Sequence, residues 1–127
     1  MSGRIRTFTI TVTTTGAGGA ATGSSATTEY IEGYLEDLYI NYHASAPGTT
    51  DIIVKQTDRT ENLYAKTNSA TDVHVAPRMK AVDNAAAAIT DSHARFPING
   101  TITVSLAESD ALTGAVVVTA RVNIIGQ

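Results

Sequence analysis

Two stretches near opposite ends of the chain alternate apolar and polar residues with a period of two. Between residues 4 and 15, Phe8, Ile10 and Val12 fall on one side, and Thr7, Thr9, Thr11 and Thr13 on the other. Between residues 115 and 125, Val116, Val118, Ala120, Val122 and Ile124 stay in phase, against Val117, Thr119, Arg121 and Asn123. Successive side chains of an extended chain point to opposite faces. Such alternation, rich in β-branched residues, therefore marks strands with one buried face.

The middle of the chain carries the same signal in shorter pieces. Leu38, Ile40 and Tyr42 share a face opposite Tyr39, Asn41 and His43, and Ile102, Val104 and Leu106 share another. Short strands are expected at 51–56, 62–66 and 73–75, the last stopped by Pro77. For residues 29–37 the aromatic and β-branched content favours strand over helix. Residues 16–28 hold Gly, Ala, Ser and Thr and nothing large enough to anchor a core. They read as a flexible loop, or an arm that orders on a partner. The alanines at 85–88 favour one short helix within 78–90. Residues 91–97 read as irregular, and Asn99-Gly100 as a tight turn. Many short strands separated by turn signals imply an all-β fold, an antiparallel β-sandwich or jelly roll. The expected organisation is one domain over residues 1–127 with a short N-terminal arm.

Composition narrows the function. The chain has no cysteine, which excludes disulfides and Cys-based zinc sites and leaves stability to packing or assembly. Charged residues make up 17%, below the usual quarter, so the surface suits packing against other protein or is that of a Thr-rich β protein. A net charge of -3 without a basic stripe argues against nucleic acid as a partner. No apolar run is long enough to span a membrane, and Met1-Ser2-Gly3-Arg4 does not open a signal peptide's apolar core.

The chemical motifs fail their own context tests. Gly16-Ala17-Gly18-Gly19-Ala20-Ala21 fits the dinucleotide pattern formally. The helix whose N-terminus would hold a pyrophosphate does not follow it. His43, His74 and His93 stand apart, without metal-ligand spacing. Glu36 and Asp37 are adjacent, so strict alternation sends them to opposite faces. No serine sits in a nucleophile elbow. Asn99-Gly100-Thr101 matches a glycosylation acceptor, but without a secretion signal it reads as the turn. The sequence assigns no catalytic residue, no cofactor and no metal ligand, and a non-enzymatic role is expected.

Five of the seven aromatic residues are tyrosines, four of them between 30 and 42. Tyr42 is in phase with the core. Tyr30, Tyr34 and Tyr39 are candidates for an interface, and Tyr34, Tyr39 and Tyr42 for a sugar-stacking or protein-binding surface. The basic start, Arg4-Ile5-Arg6, is a second candidate contact, able to order on an acidic surface.

Three stretches carry a family resemblance. They are Thr7-Phe8-Thr9-Ile10-Thr11-Val12 running into the Gly/Ala/Ser segment, Leu38-Tyr39-Ile40-Asn41-Tyr42-His43 through Pro47-Gly48 to Asp51, and Arg95-Phe96-Pro97-Ile98-Asn99-Gly100-Thr101 through Asp110-Ala111-Leu112 to Val118. Together they resemble small virion proteins of tailed bacteriophages, head decoration (cement) proteins in particular. The resemblance implies a jelly-roll-like structural protein on the phage head surface, made in the host cytoplasm. Its implied partner is the major capsid protein, which it would bind across neighbouring subunits, itself as a homotrimer. A carbohydrate-binding or tail adhesion module of the same fold is the alternative.

Overall fold

The computed structural model describes residues 4–125. All its regular structure is strand: β1 (Arg4–Val12), β2 (Ala21–Ala26), β3 (Ile31–Tyr42), β4 (Asp51–Gln56), β5 (Asn62–Lys66), β6 (Val73–Val75), β7 (Arg78–Val82), β8 (Ala88–Arg95), β9 (Pro97–Gly100), β10 (Ile102–Ser109) and β11 (Val116–Ile124). The five-stranded sheet runs β1-β11-β3, with β6 and β9 both on the far side of β3. The second sheet runs β2-β10-β4-β5. Every pairing is antiparallel.

The order has a simple logic. The chain pairs outside in: β1 with β11, β2 with β10, β3 with β6 and β9, and β4 with β5. β6 lies along residues 38–40 of β3, and β9 continues the same edge along residues 31–34. Taken as two halves of one strand, they make this the eight-stranded order of a jelly roll. The all-β sandwich read from the sequence is therefore the observed fold.

The core lies between the two sheets and is built from the residues that alternation marked. Phe8, Ile10 and Val12 of β1 face Ile102, Val104 and Leu106 of β10 across it, with Leu38 and Ile40 of β3 and Val116, Val118 and Val122 of β11. The intervening threonines of β1 stay outside.

Three sequence expectations are corrected. Residues 16–28 are not one flexible loop, because 21–26 form β2, paired to β10 with Ala21 fully buried. At Gly23 the small residue is required by its position. A Cβ on Gly23 would stand 2.3 Å from the Thr13 carbonyl oxygen, inside van der Waals contact. Gly23→Ala should therefore cost about 1–3 kcal/mol through overpacking. A mobile loop would tolerate the change within about 0.5 kcal/mol, and urea unfolding midpoints separate the two.

The second correction concerns the helix expected within 78–90, where β7 and β8 form a hairpin instead. Asp83 decides it. Its carboxylate accepts the N–H groups of Ala85 and Ala87, at 2.8 and 3.0 Å, and Ala86 adopts φ 64°. A side chain that captures backbone donors in this way competes with a helix. The segment 91–97 is accordingly mostly strand. Third, Asn99 and Gly100, read as a tight turn, are the last residues of β9. Gly100, at φ 145°, makes the corner where the chain leaves one sheet for β10 in the other. Arg4, Ile5 and Arg6 are the first residues of β1, in keeping with the strand read from residue 4 onwards. Residues 1–3 of the expected arm lie outside the described residues.

Candidate functional site

One irregularity organises the outer face of the five-stranded sheet. Along β3, Ile31, Gly33 and Leu35 are buried, and then Leu38, Ile40 and Tyr42. The inward set thus changes parity. The strand accommodates the change with a bulge: Arg121 of β11 pairs with Asp37, and Val122 with Leu35, leaving Glu36 as the extra residue. Bulges of this kind re-aim side chains and recur beside functional sites. Here Glu36 and Asp37 both engage outer-face partners. Strict alternation would have sent them to opposite faces, and the bulge corrects that expectation.

The bulge lies opposite the gap between β6 and β9, where the β7–β8 hairpin leaves the sheet. Glu36 ties the hairpin down. Its carboxylate pairs with Arg95, and its carbonyl oxygen accepts from Arg78 at 3.1 Å. The Arg95 guanidinium also lies over the Tyr34 ring, 4.9 Å from its centroid.

Asp37 anchors the other half of the cluster. Its side chain is only 8% exposed, and it accepts two bonds from the Arg121 guanidinium, one from Nε at 2.7 Å. His74 Nε2 lies 2.9 Å from its second oxygen. The His74 ring stacks on Tyr39 with centroids 3.9 Å apart and planes 2° from parallel. Three rows therefore cross the face: Ile5–Asn123–Tyr34–Pro97, Thr7–Arg121–Asp37, and Thr9–Thr119–Tyr39–His74. Within the first row, Asn123 Oδ1 is buried without a hydrogen-bond donor among the described residues.

The hydrogen bonds from Arg121 hold the Asp37 carboxyl at about 2, below its ordinary 3.8, against the opposing effect of burial and with help from His74. The native state thus favours the ionised form. The pair's contribution is complete above about pH 4 and is lost as pH falls towards 2. Asp37→Asn should melt lower than the parent at pH 6, and the difference should shrink steadily towards pH 2. A gap independent of pH would show that the ion pair is not its source.

The sequence candidates divide. Tyr34 and Tyr39 share this face, and Ile5 reaches its far edge. Arg4 and Arg6 pair with Ile124 and Val122, so they belong to the inward parity of β1. Arg6 is spent on Glu29, at 3.1 Å. Tyr30 lies apart, before β3, where its hydroxyl bonds Asn99. His43, which alternation sets opposite Ile40 and Tyr42, closes a turn by accepting the Ser45 N–H at 2.9 Å. The residues missed were Glu36, Asp37, His74, Arg95 and Arg121. The parity change along β3 was the signal for them.

Among the described residues no three His, Asp or Glu side chains are grouped to hold a metal ion, and no helix is long and apolar enough to cross a membrane. The hollow between β1 and residues 27–29 is ≈ 220 Å³, lined by threonines with Phe8 and the Arg6–Glu29 pair.

No family model matches the chain, and no curated protein matches it. Among solved structures, similar chains include family 29 carbohydrate-binding modules. An arginine-to-alanine mutant of CBM29-2 is 12% identical, with 94% of this chain and 79% of that one covered at a TM-score of 0.32. A lysine-to-alanine mutant complexed with cellulohexaose is 11% identical, covering 94% and 78% at 0.34. Scores at this level do not establish a common fold, and the sandwich assignment stands on the strand pairing itself.

Proposed function

We propose that this chain is a non-catalytic binding module that attaches the outer face of its five-stranded sheet to another protein. The observation that supports this is the ordered cluster at the bulge. Tyr34 and Tyr39 are 37% and 39% exposed, and each has one ring face already occupied by Arg95 or His74. Arg95 and Arg121 are in turn fixed on carboxylates. Tyrosine and arginine are enriched where protein contacts draw most of their energy. Side chains already held in place lose less entropy on binding.

The resemblance to tailed-phage head decoration proteins supplies the partner in this reading. It is the major capsid protein, bound across neighbouring subunits on the head surface. Weak contacts repeated by symmetry then sum to firm attachment. The jelly roll is a fold of both capsid and lectin domains, so it does not choose between partners.

A glycan ligand is the second reading, favoured by two tyrosines on one sheet face beside arginines and carboxylates. Sugar stacking uses an open ring face, and Arg95 and His74 leave each tyrosine with one at most. Cosedimentation with shells of undecorated capsid protein, run beside a glycan array, tests both. Retention on shells should weaken about 30-fold or more for each of Tyr34→Ala and Tyr39→Ala. Retention on glycans alone, lost in the same variants, would overturn the protein reading in favour of the sugar.

A further inference from the structure

β1 is an edge of the five-stranded sheet, with β11 as its one neighbour there. Its backbone groups divide by parity. The His43 N–H donates to the Ala115 carbonyl at 2.9 Å. That rung continues the β3–β11 register, so Asn41, Tyr39 and Asp37 exchange hydrogen bonds with Val117, Thr119 and Arg121. The alternate residues of β11, Val116, Val118, Ala120 and Val122, are left to bond Val12, Ile10, Phe8 and Arg6 of β1. The N–H and C=O groups of Ile5, Thr7, Thr9 and Thr11 therefore point away from the sheet. Thr15, in the same phase just past the strand, keeps this direction and exchanges both its bonds with Thr22. Among the described residues no backbone group bonds the other four on that side. Residues 27–29 approach β1 but leave the ≈ 220 Å³ hollow between, and they bond it through the Arg6–Glu29 pair.

Open edges invite another strand, and proteins guard them with brevity, proline, lysine or a bulge. The far edge of the same sheet is guarded. It is split into β6, three residues long and followed by Pro77, and β9, which begins at Pro97. In the second sheet β2 contains Gly23 and meets β10 through a register shift, while β5 is five residues long and ends on exposed Lys66. β1 runs nine residues with no proline, glycine, lysine or bulge, and its two arginines stand at one end.

The strand is also complementary to itself. Laid antiparallel to a second β1, all four open residues find partners in one register, with Ile5 opposite Thr11 and Thr7 opposite Thr9 in both directions. A shift of two residues leaves Ile5 or Thr11 without a partner in the strand. A shift of one sets open groups against closed ones and turns the faces over. In the matched register threonine meets threonine on the outer face, a favourable cross-strand pair. Phe8 meets Phe8, and Arg4 and Arg6 fall opposite Val12 and Ile10, so no like charges oppose each other.

We propose that two copies of this chain join β1 to β1 in this register, making their five-stranded sheets one continuous sheet. The symmetry selects a second copy as the occupant, because the same four residues supply both halves of every rung. The contact is isologous and closes at two copies. Its axis stands perpendicular to the sheet, so both outer faces look the same way. The joint uses neither Tyr34 nor Tyr39, and the dimer presents them twice on one side, where a second attachment strengthens the first.

Light scattering after size exclusion, over a concentration series, should give twice the chain mass at high concentration and the single mass on dilution. Thr9→Pro should stay at the single mass where the parent is fully paired. The N–H it removes is an open one, and proline is accepted on an edge strand in that position, so its melt should remain cooperative. Thr7→Lys with Thr9→Lys keeps every N–H but sets like charges opposite each other, and should stay single too. The chain has no cysteine, so a crosslink can be placed cleanly. Residues on a hydrogen-bonded rung lie about 5.5 Å apart, within reach of a disulfide. Thr7→Cys mixed with Thr9→Cys should therefore crosslink on mild oxidation at least about 10-fold faster than either variant alone. A parent of single mass throughout, the result if the edge serves a strand of another protein, would overturn the proposal. So would a threefold mass, a Thr9→Pro or double-lysine variant that pairs as the parent does, or Thr9→Cys crosslinking alone as fast as the mixture.

Discussion

Deletion of Tyr39 should unfold this protein, whereas deletion of Glu36, three residues earlier on the same strand, should leave a folded jelly roll. The difference follows from register. Leu35 faces Val122, Asp37 faces Arg121 and Leu38 faces Ala120, with Glu36 extra. Without Glu36, β3 alternates strictly, and each inward residue keeps its partner. Without Tyr39 the strand has two choices. If Leu38 keeps its place, Ile40 and Tyr42 turn outward, because a one-residue slip reverses every side chain beyond it. If Ile40 and Tyr42 keep theirs, the bulge must be absorbed. Leu38 then moves opposite Thr119 on the outer face, and Asp37 moves opposite Ala120 in the core. A buried carboxylate deprived of its cation costs about 3–5 kcal/mol, and exposing a leucine about 1.5–3 more. Small domains hold only about 5–15 kcal/mol in total. Circular dichroism melts and amide shift dispersion should show a cooperative transition for the Glu36 deletion and none for the Tyr39 deletion. Equal melts would remove the register argument. The Glu36 deletion should also lose its hold on Arg78 and Arg95, and amide exchange in β7 and β8 should quicken while the core strands keep their protection.

The bulge also explains how far the sequence could be read. Where alternation was clean and β-branched, as in β1, β10 and β11, strand, face and buried set were all legible. Antiparallel strands with one solvated face leave that imprint. It fades where burial no longer drives composition. β2 holds only small residues, of which Gly23 passes against the Thr13 carbonyl, and small residues also spell loop. β8 is exposed over most of its length, so no periodic pressure shaped it, and the alanine run ahead of it mimicked a helix. The site was half legible. Tyr34 and Tyr39 stood out by type, but Asp37, His74 and Arg121 meet only through pairings between distant segments. The parity change between Leu35 and Leu38 was visible in one dimension. Reading it as an inserted residue would have placed Glu36 and Asp37 on the outer face.

Ile40→Ala should cost about 2–5 kcal/mol, the range for emptying a well-packed site. Ile40 is fully buried, and it is held from both sides, opposite Val118 on β11 and Val73 on β6. Such a site collapses poorly, because neither neighbour can move inward without breaking its own ladder. Ile40→Val, which removes one methyl group, should cost only about 0.5–1.5 kcal/mol. Ile53 supplies the control. It lies in β4 between the buried Ile52 and Val54, yet it is 40% exposed on the outer face of the second sheet. Ile53→Ala should change stability by about 0.5 kcal/mol or less. Urea unfolding with a common slope reads all three as midpoint shifts. The ordering Ile40→Ala, Ile40→Val, Ile53→Ala is the ordering of core volume removed, and a large Ile53 effect would mean that the second sheet buries its outer face against something as well.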